Sequence, residues 1–472
     1  MEFSWKTKRQ YSFKIEYNMK QGGSGFMDNE LFSLTATRLI QLIRSRELGV
    51  EELTSFYIKR IEQYDGADGL NAVAELNEYA LQQAKQLDEK KSAIDSPLSG
   101  LPILVKDNID VAGLHTTAGS LAIADNIAQS DAPIITNLRR NGALILGKTN
   151  MTEFANYTTV NMSNGYSSRG GQVKNAYNKE KSPSGSSSGS AVAMSAGFCG
   201  AALGTDTSFS IVGCVTENGV TGIKPAYGSL PSQGIIPIAK TLDSAGPITR
   251  NLEDALFIYS CMRDKPLPLI EAANPKNIRL AVNIFDHDQV SEAQLMKYET
   301  IFDALKQSGG QITELNHGHT KYQKDIMQYE FRHDLEEYLS NSTAKYKTLD
   351  RIVEYYENNP KSMMKYGNTL LRGALENASG KLDDEAYLVA RKERKRLRAQ
   401  ILEELSSFDA CVMTGPTNIM HFIGLPSLAI RLGMGNDGMP RGMILYGANE
   451  ISLFSAALTL ETYCTPVFLP QL

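Results

Sequence analysis

The chain has 472 residues, 42% hydrophobic and 21% charged, with 48 basic against 53 acidic side chains and a formal net charge of −5. This balance excludes a disordered chain, a coiled coil and a collagen, and a mildly acidic whole gives no electrostatic reason to expect nucleic acid.

Residues 1–26 are basic and aromatic (Trp5, Lys6, Lys8, Arg9, Lys14) and end near Gly22-Gly23-Ser24-Gly25. They lack the apolar stretch of a secretory signal. The functional chain is expected to begin at Met27, with residues 1–26 an N-terminal extension or tag outside the fold. From Leu34 to Tyr64 apolar residues recur at helical spacing, broken into two helices at Gly49. A third helix is expected over Leu76–Lys91. Strand-like runs at Pro102–Val105 and Ala143–Leu146 flank a helical Pro133–Arg140, a β-α-β rhythm suited to a parallel sheet.

Residues 163–190 are rich in Gly, Ser and Asn and show no apolar period. A small-residue helix (Ala191–Ala196) and a short strand (Ala201–Gly204) follow. Next come a helix at Asn251–Arg263, a strand at Ile278–Ile284, a helix at Ser291–Gln307 and a strand at Ile312–Leu315. Residues 322–408 read as long charged helices, with the basic run Lys392–Arg398 on a solvated face. Strands return at Ala410–Met413, Leu428–Arg431 and Met443–Tyr446, before a last helix at Ile451–Tyr463. With no repeat and no Pro-rich linker, the expected fold is α/β. It is one large mixed, mostly parallel sheet covered by helices on both faces, a single domain over 27–472 with a helical insertion around 322–408.

Five widely spaced cysteines without a CxxC argue against a disulfide framework and a zinc knuckle, and for a reducing compartment. Ala191–Gly204, the longest nearly apolar run, is below membrane-spanning length. A cytoplasmic protein without membrane or nucleic-acid partners is expected.

Three pieces bear on chemistry: Lys106-Asp107-Asn108 directly after an apolar strand, Ser184–Ser190 before a small-residue helix, and Gly204-Thr205-Asp206-Thr207-Ser208-Phe209-Ser210-Ile211. The second contains Gly185-x-Ser187-x-Gly189, the form of a nucleophile elbow. That motif needs a buried strand before it, and Asn175–Ser182 is polar. Its triad also needs a histidine; only His421 lies late in the chain near the sheet, and nothing in the sequence marks it. The elbow reading is rejected.

In order, these pieces resemble the amidase signature family. So do Gly147–Phe154, Thr221–Pro225, Leu242–Arg250, Gly424–Ser427 and Gly442-Met443. Asn164–Gln172, Ser182–Ser190 and Ser210-Ile211-Val212 are most similar to its peptide amidase branch. The resemblance implies a Ser–cis-Ser–Lys triad. Carried over by the family's 24-residue serine spacing, it makes Ser210 the nucleophile, Ser186 the bridging serine after a cis Gly185–Ser186 peptide, and Lys106 the base. It implies oxyanion N–H donors at Thr207, Ser208, Phe209 and Ser210, with Ser187 and Asp206 in support. Lysine can serve as a base only when neutral, a state that burial favours.

The sequence departs from the family at Phe209, where glycine is usual, at Cys214-Val215 in place of Pro-Ala, and at Val212 in place of Arg. A phenylalanine there either strains the turn or fills space where substrate would lie. Cys214 and Cys199 read as small buried apolar residues, and Asp206 as a turn-stabilising acceptor. Tyr329, Phe331, Tyr338, Tyr355, Tyr356 and Tyr366 are either pocket wall or core. The implied activity is hydrolysis of a carboxamide or C-terminal peptide amide, by a monomer or homodimer with no cofactor and no metal. An amide-forming or acyl-transferring enzyme, or a catalytically impaired scaffold, remain the alternatives.

Overall fold

Thr35 caps the first helix, α1 (Ala36–Arg44), by accepting the Arg38 N–H at 3.2 Å, and Leu39, Ile40, Leu42 and Ile43 form its buried stripe. The computed structural model describes residues 31–66, 68–90, 94–286, 288 and 290–472; the expected extension over 1–26 lies outside them. Helix α2 (Val50–Tyr64) starts after Gly49, the expected break, where Asp88 accepts the N–H groups of Val50 (2.8 Å) and Glu51 (2.9 Å). Strand β1 (Val73–Leu76) and α3 (Ala80–Glu89) occupy the stretch expected to begin a helix at Leu76. The Asn77 side chain accepts the Tyr79 N–H at 3.1 Å, a local turn that delays the helix.

Strands β2 (Pro102–Lys106) and β3 (Leu144–Thr149), joined through α4 (Pro133–Arg140), are buried along their whole length, as strands covered on both faces must be. After the small ribbon β4 (Tyr166–Ser167) and β5 (Gly171–Gln172) come α5 (Ser188–Ala196), β6 (Ala201–Asp206), α6 (Val212–Thr216), β7 (Thr221–Lys224), β8 (Ser244–Thr249) and α7 (Leu252–Met262). The second half adds β9 (Arg279–Asn283), α8 (Glu292–Gln307) and β10 (Gln311–Leu315). Five helices follow: α9 (Tyr322–Ser340), α10 (Leu349–Asn358), α11 (Pro360–Met363), α12 (Thr369–Asn377) and α13 (Glu385–Leu405). The chain then returns through β11 (Ala410–Met413), α14 (Ile419–Phe422), β12 (Ser427–Met434), β13 (Pro440–Tyr446) and α15 (Glu450–Glu461).

Eleven strands make one sheet in the order β1-β3-β2-β6-β8-β7-β12-β13-β11-β9-β10. The mixed sheet clothed by helices is as expected; within it, however, antiparallel pairings outnumber parallel ones by six to four, a correction to the expected parallel majority. Parallel pairs form where a helix crosses over, as from β2 to β3 and from β9 to β10. The middle of the sheet is antiparallel, and a tight turn closed by Gly435 N–H to Met439 C=O (2.7 Å) joins β12 to β13. Side chains alternate between two cores along this half: Leu428 and Ile430 of β12 pack with α7, α8 and α15, and Ala429 faces the other core. No helix among the described residues is long and apolar enough to cross a membrane.

Candidate active site

Adjacent parallel strands β2 and β6 end side by side, which brings Lys106 against Thr205 and Asp206. Helix α5 starts on the same rim. Its first turn comes this close to the sheet because Gly189 has no side chain: a Cβ there would lie 2.3 Å from the Asn150 carbonyl oxygen. The peptide between Gly185 and Ser186 is cis.

The Lys106 amine is fully buried among oxygens: Ser186 Oγ at 2.8 Å, Thr205 Oγ1 at 2.9 Å, Ser187 Oγ at 3.0 Å and the Thr205 carbonyl at 3.3 Å. Burial holds its pKa down at about 7, against the pull of Cys214, Asp206 and Asp243 in the opposite direction. The Ser187 hydroxyl donates to the Thr205 carbonyl at 3.1 Å, and Asn108 Nδ2 donates to Thr205 Oγ1 at 3.1 Å. Ser187 therefore has its proton committed, whereas Ser186 accepts from the amine with its own proton still to place.

Residues 206–212 form a short loop pinned at several points. Asp206 Oδ2 accepts the N–H groups of Ile211 (2.7 Å) and Val212 (3.1 Å) at the start of α6. Thr207 Oγ1 donates to Asp243 at 2.5 Å, and the Ser210 carbonyl accepts the Ser187 N–H at 3.2 Å. Burial raises the Asp243 carboxyl to about 7 despite its three hydrogen bonds, to Thr207 and to the N–H groups of Ile238 and Ala239. Ser210 keeps 6% exposure where Lys106, Ser186 and Ser187 have none.

Beneath the loop, Ile211 rests on glycines of three neighbouring strands. Cβ atoms built at Gly222, Gly204 and Gly246 would lie 2.7, 3.0 and 3.2 Å from its side chain. This floor seats the residue next to Ser210.

Phe209 takes φ +65°, the left-handed region that side chains beyond glycine rarely adopt. Its N–H donates to His421 Nε2 at 3.3 Å, and the two rings meet edge to face with centroids 4.4 Å apart. Of the four positions expected to supply oxyanion donors, Phe209 has its N–H engaged by His421 in this geometry; the others are Thr207, the half-buried Ser208 and Ser210. His421, unmarked in the sequence, thus stands on the loop itself. Its Nδ1 faces Asp206 Oδ1 at 3.3 Å, and burial holds its pKa down at about 4. Thr205, Asn108 and Asp243 are further contributors to which sequence reasoning gave no role. Their signal was membership of the singled-out pieces: Asn108 two positions after Lys106, Thr205 before Asp206, and Asp243 within Leu242–Arg250.

Other expectations resolve around this site. Cys214 is buried with its thiol pushed up to about 12 by burial, and Cys199 likewise. Phe331 and Tyr356 are core, whereas Tyr338 is half-buried and donates to Asp110 at 2.7 Å; Tyr329, Tyr355 and Tyr366 are half-buried. Among the described residues, one group has the spacing of metal ligands, His333, Asp334 and Glu337. Its carboxylates are already taken, Asp334 by the Lys240 N–H (2.7 Å) and Glu337 by the Lys240 ammonium (2.8 Å).

The family model described as Amidase matches residues 52–417. A probable amidase of Arabidopsis thaliana is 28% identical over 88% of this chain and 87% of its own length. A glutamyl-tRNA(Gln) amidotransferase subunit of Exiguobacterium sibiricum is 28% identical over 94% of this chain and 100% of its own. Among solved structures, an amidase family protein from Bacillus anthracis superposes with a TM-score of 0.86 at 30% identity, covering 94% of both chains. The peptide amidase of Stenotrophomonas maltophilia superposes with a TM-score of 0.84 at 28% identity, covering 93% of this chain and 98% of its own.

Proposed function

Because this chain belongs to the amidase family, we propose that it hydrolyses carboxamides through Ser210, Ser186 and Lys106. A serine hydroxyl is a weak nucleophile until a neighbour removes its proton. In this reading the neutral Lys106 amine takes the Ser186 proton, Ser186 takes the Ser210 proton, and Ser210 Oγ attacks the amide carbonyl. The oxyanion is held by backbone N–H groups of the Thr207–Ser210 stretch, among them Thr207, Ser208 and Ser210. Lys106 returns its proton through Ser186 to the leaving nitrogen as the C–N bond breaks, leaving an ester on Ser210. Water, deprotonated by the same relay, cleaves that ester to the acid and restores the serine.

The observation that carries this reading is the 2.8 Å contact between Lys106 Nζ and Ser186 Oγ inside a fully buried cluster, where the amine loses its proton near neutrality. The substrate class is a C-terminal peptide amide or a related carboxamide, in keeping with the similarity to a peptide amidase. Residues 27–472 act as one catalytic unit, with α9–α13 inserted between β10 and β11. Five unpaired cysteines suit a reducing compartment such as the cytoplasm.

A second reading is acyl transfer to a bound amine, favoured by the similarity to amidotransferase subunits. Both readings are tested with a fluorophosphonate probe. Labelling of the parent that is lost in Ser210→Ala supports the nucleophile, and an unlabelled parent supports an inactive scaffold. Product analysis with and without added amine then separates hydrolysis from transfer.

A further inference from the structure

The Asp206–His421 pair is a buried group of titratable side chains with no part in the relay just described. His421 is fully buried, 212 positions beyond Phe209, and is brought in by the short helix α14 (Ile419–Phe422). A backbone N–H can only donate, so an imidazole nitrogen that receives one is unprotonated. Nε2 of His421 is thus bare and its ring proton sits on Nδ1, facing Asp206 Oδ1. The other Asp206 oxygen carries the N–H groups of Ile211 and Val212. One carboxylate and one imidazole therefore grip the backbone on either side of Ser210.

The grip falls where the chain is least willing to bend. Phe209 is left-handed at φ +65°, a conformation that is strained for an L-residue and that glycine adopts freely. We infer that His421 is a positioning residue: its neutral imidazole, acting through the Phe209 N–H and packed on the Phe209 ring, holds the left-handed turn that presents Ser210. The inference rests on the proposed role of Ser210 for its functional consequence, and on the backbone geometry alone for the grip. Burial holds the His421 pKa down at about 4, which agrees with a ring that is neutral at neutral pH.

The test is a double-mutant cycle of His421→Leu and Phe209→Gly, with His421→Gln as the variant that keeps an acceptor in place of Nε2. The readouts are the rate of Ser210 labelling by a fluorophosphonate and the urea midpoint. His421→Leu is expected to slow labelling at least tenfold and lower the midpoint in the parent chain. In the Phe209→Gly background, where glycine takes the turn unaided, it should change labelling less than twofold. His421→Gln should label within about threefold of the parent. Equal losses from His421→Leu in both backgrounds would overturn the inference, because a residue that merely fills the core is missed equally in each. Independently, nitrogen-15 histidine spectra, assigned by the resonance lost in His421→Gln, should show Nε2 unprotonated; a protonated Nε2 overturns the grip whether or not Ser210 reacts. Should the parent label no differently from Ser210→Ala, the functional reading fails, and the urea cycle and the tautomer still decide the inference.

Discussion

Thr205 presents both its hydroxyl and its carbonyl to the Lys106 amine, at 2.9 and 3.3 Å, where two parallel strands end side by side. A buried amine needs such oxygens to carry its charge in the protonated half of a catalytic cycle. Thr205→Val removes one of them and leaves the Asn108 amide with its bond to the Ile236 carbonyl (3.1 Å) alone. We expect kcat to fall about 10- to 100-fold and the acid limb of the pH profile to move to lower pH, since the charged amine loses support. Thr205→Ser keeps the oxygen and should stay near the parent. Steady-state pH profiles of the three proteins check this.

The pH dependence of the parent follows from the same amine. Burial brings Lys106 from 10.5 to about 7, and it acts as a base only once deprotonated. kcat/KM should therefore rise with pH through a midpoint near 7 and level off above it. A midpoint near 10 would mean that the lysine is not the base. Lys106→Ala should cost as much turnover as Ser210→Ala, because relay members act as a unit.

Two other lysines are buried as deeply and are supported unequally. Lys148 donates to the carbonyls of Ile109 (2.7 Å) and His115 (2.8 Å) and to Thr116 Oγ1 (3.1 Å), whereas Lys224 reaches only the carbonyls of Leu425 (3.1 Å) and Pro225 (3.4 Å). Lys148→Met should destabilise the fold by roughly 3 kcal/mol, since it leaves buried acceptors unpaired. Lys224→Met should lie within about 1 kcal/mol of the parent near neutral pH. Burial lowers the Lys224 pKa from 10.5 to about 8, so between those values the unfolded chain holds a proton that the folded chain has released. Parent stability then rises with pH across that window, and any advantage of Lys224→Met shrinks there. Urea titrations at several pH values measure both.

At position 209 the usual ranking of alanine over glycine should invert. Phe209→Ala loses the ring contact with His421 and keeps the left-handed strain, whereas Phe209→Gly loses the ring and relieves the strain. Phe209→Gly should be the more stable of the two by about 1 kcal/mol in urea unfolding. Its rates across amides of increasing bulk should also shift if the ring borders the acyl or leaving-group pocket, and an unchanged profile would place the ring elsewhere.

The glycine floor under Ile211 gives a further prediction. A Cβ at Gly222 would stand 2.7 Å from Ile211 Cγ2 and 2.9 Å from Val215 Cγ1, so one side must move. Gly222→Ala should lower kcat at least tenfold by lifting the loop that carries Ser210, and overpacking should cost about 1–3 kcal/mol of stability. Unaltered turnover in a folded variant would show that the loop is not seated by this contact.

Elements with a strong period and clear ends were legible from residues alone. Helix α4 and strand β11 have the expected bounds, and α1 and α2 part at Gly49. The ordered motifs around Lys106, Ser186 and Ser210 were legible only as a group, through their resemblance to the amidase signature family, because each alone reads as a surface charge or a flexible loop. Strands β7 and β8 were not: no strand was expected at either, and they are strands because Gly222 and Gly246 let the Ile211 side chain and neighbouring backbone approach. The balance of parallel and antiparallel pairing was likewise invisible, since a strand's own residues do not say which neighbour it meets.

What the sequence determined by itself was therefore the inventory: which segments bury themselves, where helices start and, by resemblance to a known family, which hydroxyls and amine are candidates for chemistry. Only the tertiary structure decided that His421 lies on the loop before Ser210, that Thr205 supports Lys106, and that the Phe209 N–H is already taken. The physical reason is range. Periodicity and capping act between residues a few positions apart, whereas a buried donor or acceptor takes its partner from whatever the packed sheet brings within about 3 Å.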